Sequence, residues 1–435
     1  MDWNEAIALL HGANWKHTKI GLERMQDFMH ALGDPQEKLR YVHIAGTNGK
    51  GSACVMTQSI LTAAGFRTGL YISPHLDQFN ERLSIDGQMI SDADLRRLAA
   101  RVRAAAETLG EEPTDFEMIT AMAFCWFEEQ HCDLVVLEVG MGGRLDATNV
   151  ISAPEVCAIM HIGLDHTEFL GDTVEKVAAE KAGILKPGAD CVLYHQLPGV
   201  MEVVRKRFAD VNPDAAAHLV TTDPAAFTAC ARTIDGQVFN YRSRRNLRIQ
   251  LLGNYQMENA MAVLDIIDCL QRRGFGISEA AIRAGLARAV WPGRFELLSR
   301  NPLLIVDGAH NPNGVEALVD TIRAYFPDQK INFVMGVMKD KDYHTMLRLI
   351  APYAARFITE LPDAHRALRP EALKSEIREY FDGPVETAAS VTAAVKRAME
   401  IAEGSDAITI CFGSLYQVAD IRNYFLSSGR SASHV

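Results

Sequence analysis

No stretch of the chain approaches the ~18 consecutive apolar residues that a bilayer-spanning helix needs, and the opening Met1-Asp2-Trp3-Asn4-Glu5 lacks the basic-then-apolar layout of a secretory leader. A soluble cytoplasmic protein with no membrane partner is expected. Basic residues are also in deficit: 44 Lys and Arg stand against 55 Asp and Glu, a formal charge of −11. Nucleic acid and anionic lipid need clustered Lys and Arg to offset phosphate repulsion, so neither is expected as a partner. An anionic ligand would have to be held by local groups. The eight cysteines (54, 125, 132, 157, 191, 230, 269, 411) are scattered and no pair has CxxC spacing, which argues against a thiolate zinc site and predicts buried, reduced thiols. Also missing are the GxSxG elbow of a serine hydrolase, an NKxD-type base-reading motif, solenoid-period repeats and low-complexity tracts.

What is present, 435 residues at 48% hydrophobic and 23% charged, suffices for two or three compact domains. Val- and Ile-rich runs alternate with segments of helical period. Positions 38–45 read as a strand, 52–64 as a helix closed by Gly65 and 67–73 as a second strand, which makes a βαβ unit. Helices are expected at 91–109 and, behind a Thr114/Glu117 capping box, at 115–130; buried strands are expected at 133–139 and 155–161. A helix over 172–185 ends at Pro187-Gly188, and a strand near 191–194 follows it. A polar, β-like segment covers 221–252 with a turn at Asp235-Gly236, and helices resume at 257–274 and 278–289. Breakers at Trp291-Pro292-Gly293 mark a boundary. Beyond it, strands near 303, 331, 356, 385 and 407 alternate with helices. The fold class expected is α/β: a mostly parallel sheet in a domain over 1–295, then a smaller α/β domain over 296–435.

The strongest chemical signal is GTNGKGS, Gly46 to Ser52, placed between the first strand and the first helix. Such a loop turns backbone N–H groups and a helix N-terminus toward one anion, and Lys50 adds a mobile positive charge. It departs from GxxxxGK[ST], with Ile44 at the first glycine position and the hydroxyl one place late at Ser52. Phosphate loops of this kind work with Mg²⁺, and Glu138, at the end of the apolar run from Asp133, supplies a carboxylate on a buried strand. The following Gly140-Met141-Gly142-Gly143-Arg144-Leu145 fails as a dinucleotide fingerprint, since Leu145 holds the third glycine position. His166 would stand near Glu138 if their two strands are neighbours; a surface or core histidine is the alternative. Lys181, in Ala-Glu-Lys-Ala, reads on spacing alone as a solvated surface lysine. In the second domain, Asp307-Gly-Ala-His310-Asn311-Pro312 turns from a strand end into a helix, where α/β domains place ligands, and Arg294 could reach a phosphate.

These blocks, taken in order, resemble the folate ligases of the Mur-ligase family, the folylpolyglutamate and dihydrofolate synthases. HIAGTNGKGS from His43, YISPHLDQFNERL from Tyr71, FEMITA from Phe116, LEVGMGGRLDATN from Leu137, IGLDHTEFLG from Ile162, AAEKAGILKPG from Ala178, WPGRFE from Trp291, DGAHNP from Asp307, MKDKD from Met338 and GSLYQV from Gly413 carry the likeness. It implies an N-terminal P-loop ATPase domain and a Rossmann-like C-terminal domain with the active site in the cleft. It further implies that Gly46, Thr47, Asn48, Gly49, Lys50, Gly51 and Ser52 hold ATP phosphates, with Asn259, Arg294 and Asp307 also on the nucleotide. Ser73, Glu138 and His166 resemble Mg²⁺ ligands, and Lys181 a lysine that carries a carboxyl group beside the metal. The acid substrate is placed near Arg82, Phe116, Glu117, Leu145, Asp146 and Ala147, and glutamate near His310 and Asp307. Tyr255 and His161 depart from the family pattern, which bears on the Asn259 assignment and on the surroundings of the metal.

The activity implied is amide ligation of dihydropteroate or a reduced folate to L-glutamate, driven by ATP through an acyl phosphate, in a monomer. Lys50, Lys181, His310 and Asp307 would carry the chemistry. Two other activities compete with this reading. A ligase acting on UDP-linked muramic acid needs an extra domain ahead of the phosphate loop, which here begins at Gly46. A P-loop regulatory or motor ATPase would leave DGAHNP without a task.

Overall fold

The computed structural model describes residues 3–10, 21–214, 217–362 and 366–427. The chain forms two compact units, the first of Met1–Phe227, Tyr241–Leu247 and Glu258–Ala289, the second of Thr228–Asn240, Arg248–Met257 and Val290–Val435. Among the described residues no helix is long and apolar enough to cross a membrane.

The first unit is built on eight strands: β1 Tyr41–Ala45, β2 Thr68–Tyr71, β3 Leu83–Ile85, β4 Gln88–Met89, β5 Leu134–Glu138, β6 Val156–Ile159, β7 Asp190–Leu193 and β8 Leu219–Thr221. Their order is β4-β3-β2-β5-β1-β6-β7-β8. The β3 pairings with β2 and β4 are antiparallel, and the rest are parallel. Strands β1, β2, β5, β6 and β7 are buried throughout, as expected of a sheet with covered faces. Helix Asp115–Glu129 starts at the Thr114/Glu117 capping box and is almost wholly buried, in keeping with its scarcity of charge between Met118 and Phe127. The strand expected from 38 is shorter because Pro35 sets a 3₁₀ turn, Pro35–Lys38, ahead of it. The helix expected to 185 gives way after Lys181 to a 3₁₀ turn, Ala182–Ile184. Helices Glu23–Ala31 and Pro198–Val211 and the β3–β4 pair lie where the sequence reading assigned nothing.

Three further strands, β9 Phe227–Thr233, β10 Gly236–Tyr241 and β11 Arg244–Ile249, form a small sheet in the order β11-β10-β9, with the turn at Ile234-Asp235, one residue ahead of the expected Asp235-Gly236. The second unit carries β12 Glu296–Arg300, β13 Leu303–Val306, β14 Ile331–Met335, β15 Ala354–Thr359, β16 Val385–Thr387 and β17 Ile408–Phe412, ordered β12-β13-β17-β14-β15-β16. Five of them are parallel, and β12 is an antiparallel edge strand beyond the five expected. Helices Pro312–Tyr325, Tyr343–Ile350, Pro370–Ile377, Val391–Ala402 and Leu415–Ser427 fall where the alternation placed them. Asn311 accepts a hydrogen bond from the Gly314 N–H at 2.8 Å and Pro312 opens the first of these helices, so the DGAHNP turn is held by ordinary N-cap chemistry.

Candidate active site

In the first unit β1 runs into the phosphate loop, and helix Lys50–Ala63 leaves it. Gly49 makes the turn in the left-handed region (φ 84°), and a Cβ there would lie 2.4 Å from Asn259 Oδ1, so a side chain at this position is strained and would displace Asn259. That contact puts Asn259 against the loop. The far side of the loop is tied to the chain after β6: His161 O accepts from Thr47 N at 2.8 Å and Asn48 N at 3.2 Å, while Thr47 Oγ1 donates to Gly163 O at 3.0 Å. Lys50 Nζ donates to Thr47 O at 3.3 Å, which keeps its charge over the loop.

Lys181 is not the surface lysine its spacing suggests. It is 4% exposed, and its Nζ donates to Gly46 O at 2.8 Å. Burial, with the charge of Lys50 nearby, holds its ammonium down to about 7, so a large fraction is the neutral, nucleophilic amine near neutral pH. Its neighbour Glu180 points outward to Arg144 at 3.0 Å.

Glu138 closes β5 with its carboxylate buried and accepts from Ser73 N at 3.0 Å, which brings two of the expected metal ligands together. The strands that carry Glu138 and lead to His166 are not neighbours: β1 lies between β5 and β6, with Ile44 opposite Glu138 and Ala45 opposite Ile159. The strand that ends in Glu138 and the strand that leads to His166 thus lie on opposite sides of β1, an arrangement that strand lengths and spacing could not disclose. His166 is exposed, takes a left-handed conformation (φ 50°) and caps the short helix Thr167–Leu170.

On the β5 side, the ring of Phe116 lies over Gly140, where a Cβ would sit 2.4 Å from Cζ. Glu117 is engaged by its own cap, accepting from Thr114 N at 2.7 Å, and by Arg24 Nε at 2.9 Å. Arg82 donates from Nε to His75 Nδ1 at 2.9 Å. Leu145, Asp146 and Ala147 follow the glycine-rich turn; Asp146 is buried and accepts from Met141 N at 2.8 Å and Thr148 N at 3.0 Å. Burial raises its carboxyl, and those bonds pull it back.

In the second unit Asp307 follows β13, buried, with Oδ2 accepting from Phe295 N at 2.7 Å and Oδ1 from Ala309 N at 2.8 Å. Burial raises its carboxyl, and the Arg294 guanidinium opposes the rise. Arg294 lies against Gly308: a Cβ there would be 1.9 Å from its Nη1. His310 Nδ1 sits 2.8 Å from Gly308 O; a carbonyl only accepts, so Nδ1 carries the proton and Nε2 is the basic atom of the neutral ring. Tyr255, noted in the sequence only as a departure, donates to Asp307 Oδ2 at 3.3 Å. Its pattern neighbour Asn259 was the residue singled out, and nothing short of the fold links Tyr255 to a turn fifty residues on.

A strand-loop-helix phosphate cradle with a buried carboxylate on the adjacent parallel strand defines a P-loop nucleotide-binding protein. Residues 44–267 match the Mur ligase middle domain, and 293–415 the glutamate ligase domain of Mur ligases. The chain is 35% identical over 434 residues to the dihydrofolate synthase/folylpolyglutamate synthase of Bacillus subtilis (strain 168), spanning 97% of this chain and 98% of that one. It is 36% identical over 384 residues to the folylpolyglutamate synthase of Lacticaseibacillus casei, spanning 86% and 88%. The Mycobacterium tuberculosis folylpolyglutamate synthase complexed with ADP and AMPPCP superposes with a TM-score of 0.86 at 31% identity over 98% of this chain and 99% of that one. An Escherichia coli relative in complex with DHPP and ADP gives 0.85 at 29% identity, covering 99% of both chains. The chain belongs to the folylpolyglutamate synthase/dihydrofolate synthase family of Mur ligases.

Proposed function

We propose that this chain joins the amine of L-glutamate to the carboxylate of dihydropteroate or of a reduced folate, with ATP converted to ADP and phosphate. The observation that carries the proposal is the left-handed Gly49 turn opening helix Lys50–Ala63, in a chain that matches a folate ligase over 97% of its length. In the first step a carboxylate oxygen of the acid attacks the γ-phosphorus and ADP leaves, giving an acyl phosphate. Lys50 offsets charge on the moving phosphoryl group. In the second step the glutamate nitrogen attacks the acyl carbon and phosphate departs with the oxygen that had been the acid's own. The ammonium must first lose a proton, and we assign its removal to His310, whose Nδ1–H on Gly308 O leaves Nε2 as the basic nitrogen of the neutral ring.

Ser73, Glu138 and His166 are the residues that would hold Mg²⁺, and the oxygen donors among them suit that hard cation. Bound there, the ion supplies positive charge to phosphate oxygens. Lys181 would complete the set after its neutral amine adds to CO₂, forming an N–C bond and releasing one proton. Incorporation of ¹³C-bicarbonate should give a carbamate carbon signal that Lys181→Arg loses; an unchanged signal in the variant would remove Lys181 from the metal set. Asn259, Arg294 and Asp307 are proposed on the nucleotide, and Arg82, Phe116, Glu117 and Leu145 to Ala147 on the pteridine acid. The setting proposed is the cytoplasm and the working form a monomer; eight free cysteines, seven of them buried, suit a reducing compartment. ADP release measured with each substrate withheld in turn tests the activity: turnover should require both acid and glutamate, and ATP hydrolysis without either would point to a plain ATPase.

A further inference from the structure

His43 is fully buried in β1, and the proposed ligation chemistry gives it no role. Its Nε2 lies 2.9 Å from Thr148 Oγ1, and that hydroxyl lies 2.5 Å from Asp146 Oδ1. Proton counting fixes the direction of the chain. Asp146 also accepts from Thr148 N and Met141 N, as a carboxylate does, so the single hydroxyl proton of Thr148 goes to Asp146. Thr148 Oγ1 must then accept from His43, which places the imidazole proton on Nε2. Burial, with Lys186 nearby, holds the imidazolium down to about 3, so the ring stays neutral and the direction does not reverse at working pH. His43 Nδ1 has no hydrogen-bond partner among the described residues, so the ring carries the cost of one unsatisfied buried polar atom.

We infer that His43 and Thr148 are positioning residues for the pteridine acid: the relay from β1 through Thr148 fixes Asp146, and with it the loop Gly140 to Ala147, in the shape that receives that substrate. This rests on the placement of the acid at Leu145 to Ala147 under the proposed function and adds the device that holds the loop. Because β1 also feeds the phosphate loop, the relay gives the acid's loop and the ATP loop one common anchor.

The test is steady-state kinetics of the full chain with dihydropteroate varied and then ATP varied. Thr148→Val, which keeps shape and loses the hydroxyl, should raise KM for dihydropteroate on the order of tenfold, the effect of one buried hydrogen bond, with KM for ATP within twofold. Thr148→Ser and His43→Gln, which restore the hydroxyl or a donor at the Nε2 position, should return KM to near the parent value, whereas His43→Leu should not. Ala147→Phe serves as the control for the reading beneath. If Thr148→Val leaves KM for dihydropteroate unchanged while Ala147→Phe raises it, the relay is overturned and the placement of the acid stands. If neither changes it, the placement falls too. Equal loss for both substrates without rescue by Thr148→Ser or His43→Gln would assign the relay to general stability and overturn the inference.

Discussion

Glu360 follows β15 with its carboxyl fully buried, and neither oxygen has a hydrogen-bond partner among the described residues. Burial, with the charge of Asp420 behind it, pushes this carboxyl up to about 8. An unfolded Glu titrates near about 4.3. Between those values the folded chain holds a proton that the unfolded chain has released, so stability falls as pH rises through that window. Glu360→Gln abolishes the titration at nearly constant shape. Its urea midpoint should stay close to the parent's at pH 5 and exceed it at pH 8; a gap that fails to widen would contradict the buried, protonated acid. For His310, replacement by Ala should raise the glutamate KM tenfold or more and leave ATP affinity, measured by calorimetry, within twofold. Equal losses for both ligands would move His310 off the glutamate. What the sequence disclosed at this scale were residue types with a chemical signature, such as Lys50 between glycines and Glu138 at the end of an apolar run. Lys181 was legible only through the family resemblance and not from its spacing, because one register step on a helix separates it from the outward Glu180 and only tertiary packing decides which of the two is buried.

Among elements, the phosphate loop was the most readable, since glycines and a lysine between a β-branched run and a helical period leave few alternatives. Its geometry yields a sharp prediction. Gly49→Ala forces a left-handed alanine, costing about 1–2 kcal/mol, and drives Cβ to 2.4 Å from Asn259 Oδ1. Turnover should fall at least a hundredfold, with a lowered melting temperature; near-normal rates would mean that the loop is not shaped as described. Helix Pro198–Val211 escaped the sequence reading because its buried residues, Val200, Met201 and Val204, form a narrow stripe among charges such as Arg205, Lys206 and Arg207. The edge strand β12 escaped because it comes directly after the breakers at Pro292 and Gly293, where a loop was the simpler reading. Strand order was out of reach for another reason: that β1 separates β5 from β6 is a long-range pairing, which local periodicity does not encode.

For the whole molecule, two mostly parallel sheets and their loops suit the proposed ligase chemistry, which needs no enzyme nucleophile because the acid's own oxygen would be the one phosphorylated. Lys50→Ala should therefore abolish turnover with dihydropteroate and with tetrahydrofolate alike, as followed by product mass; activity kept with either would detach the loop from the chemistry. The acyl phosphate leaves a more direct trace. With acceptor labelled by ¹⁸O in the carboxylate that reacts, each turnover should pass one ¹⁸O atom into the inorganic phosphate released, read by mass spectrometry or ³¹P NMR. Phosphate released without label while the amide product accumulates would contradict the account.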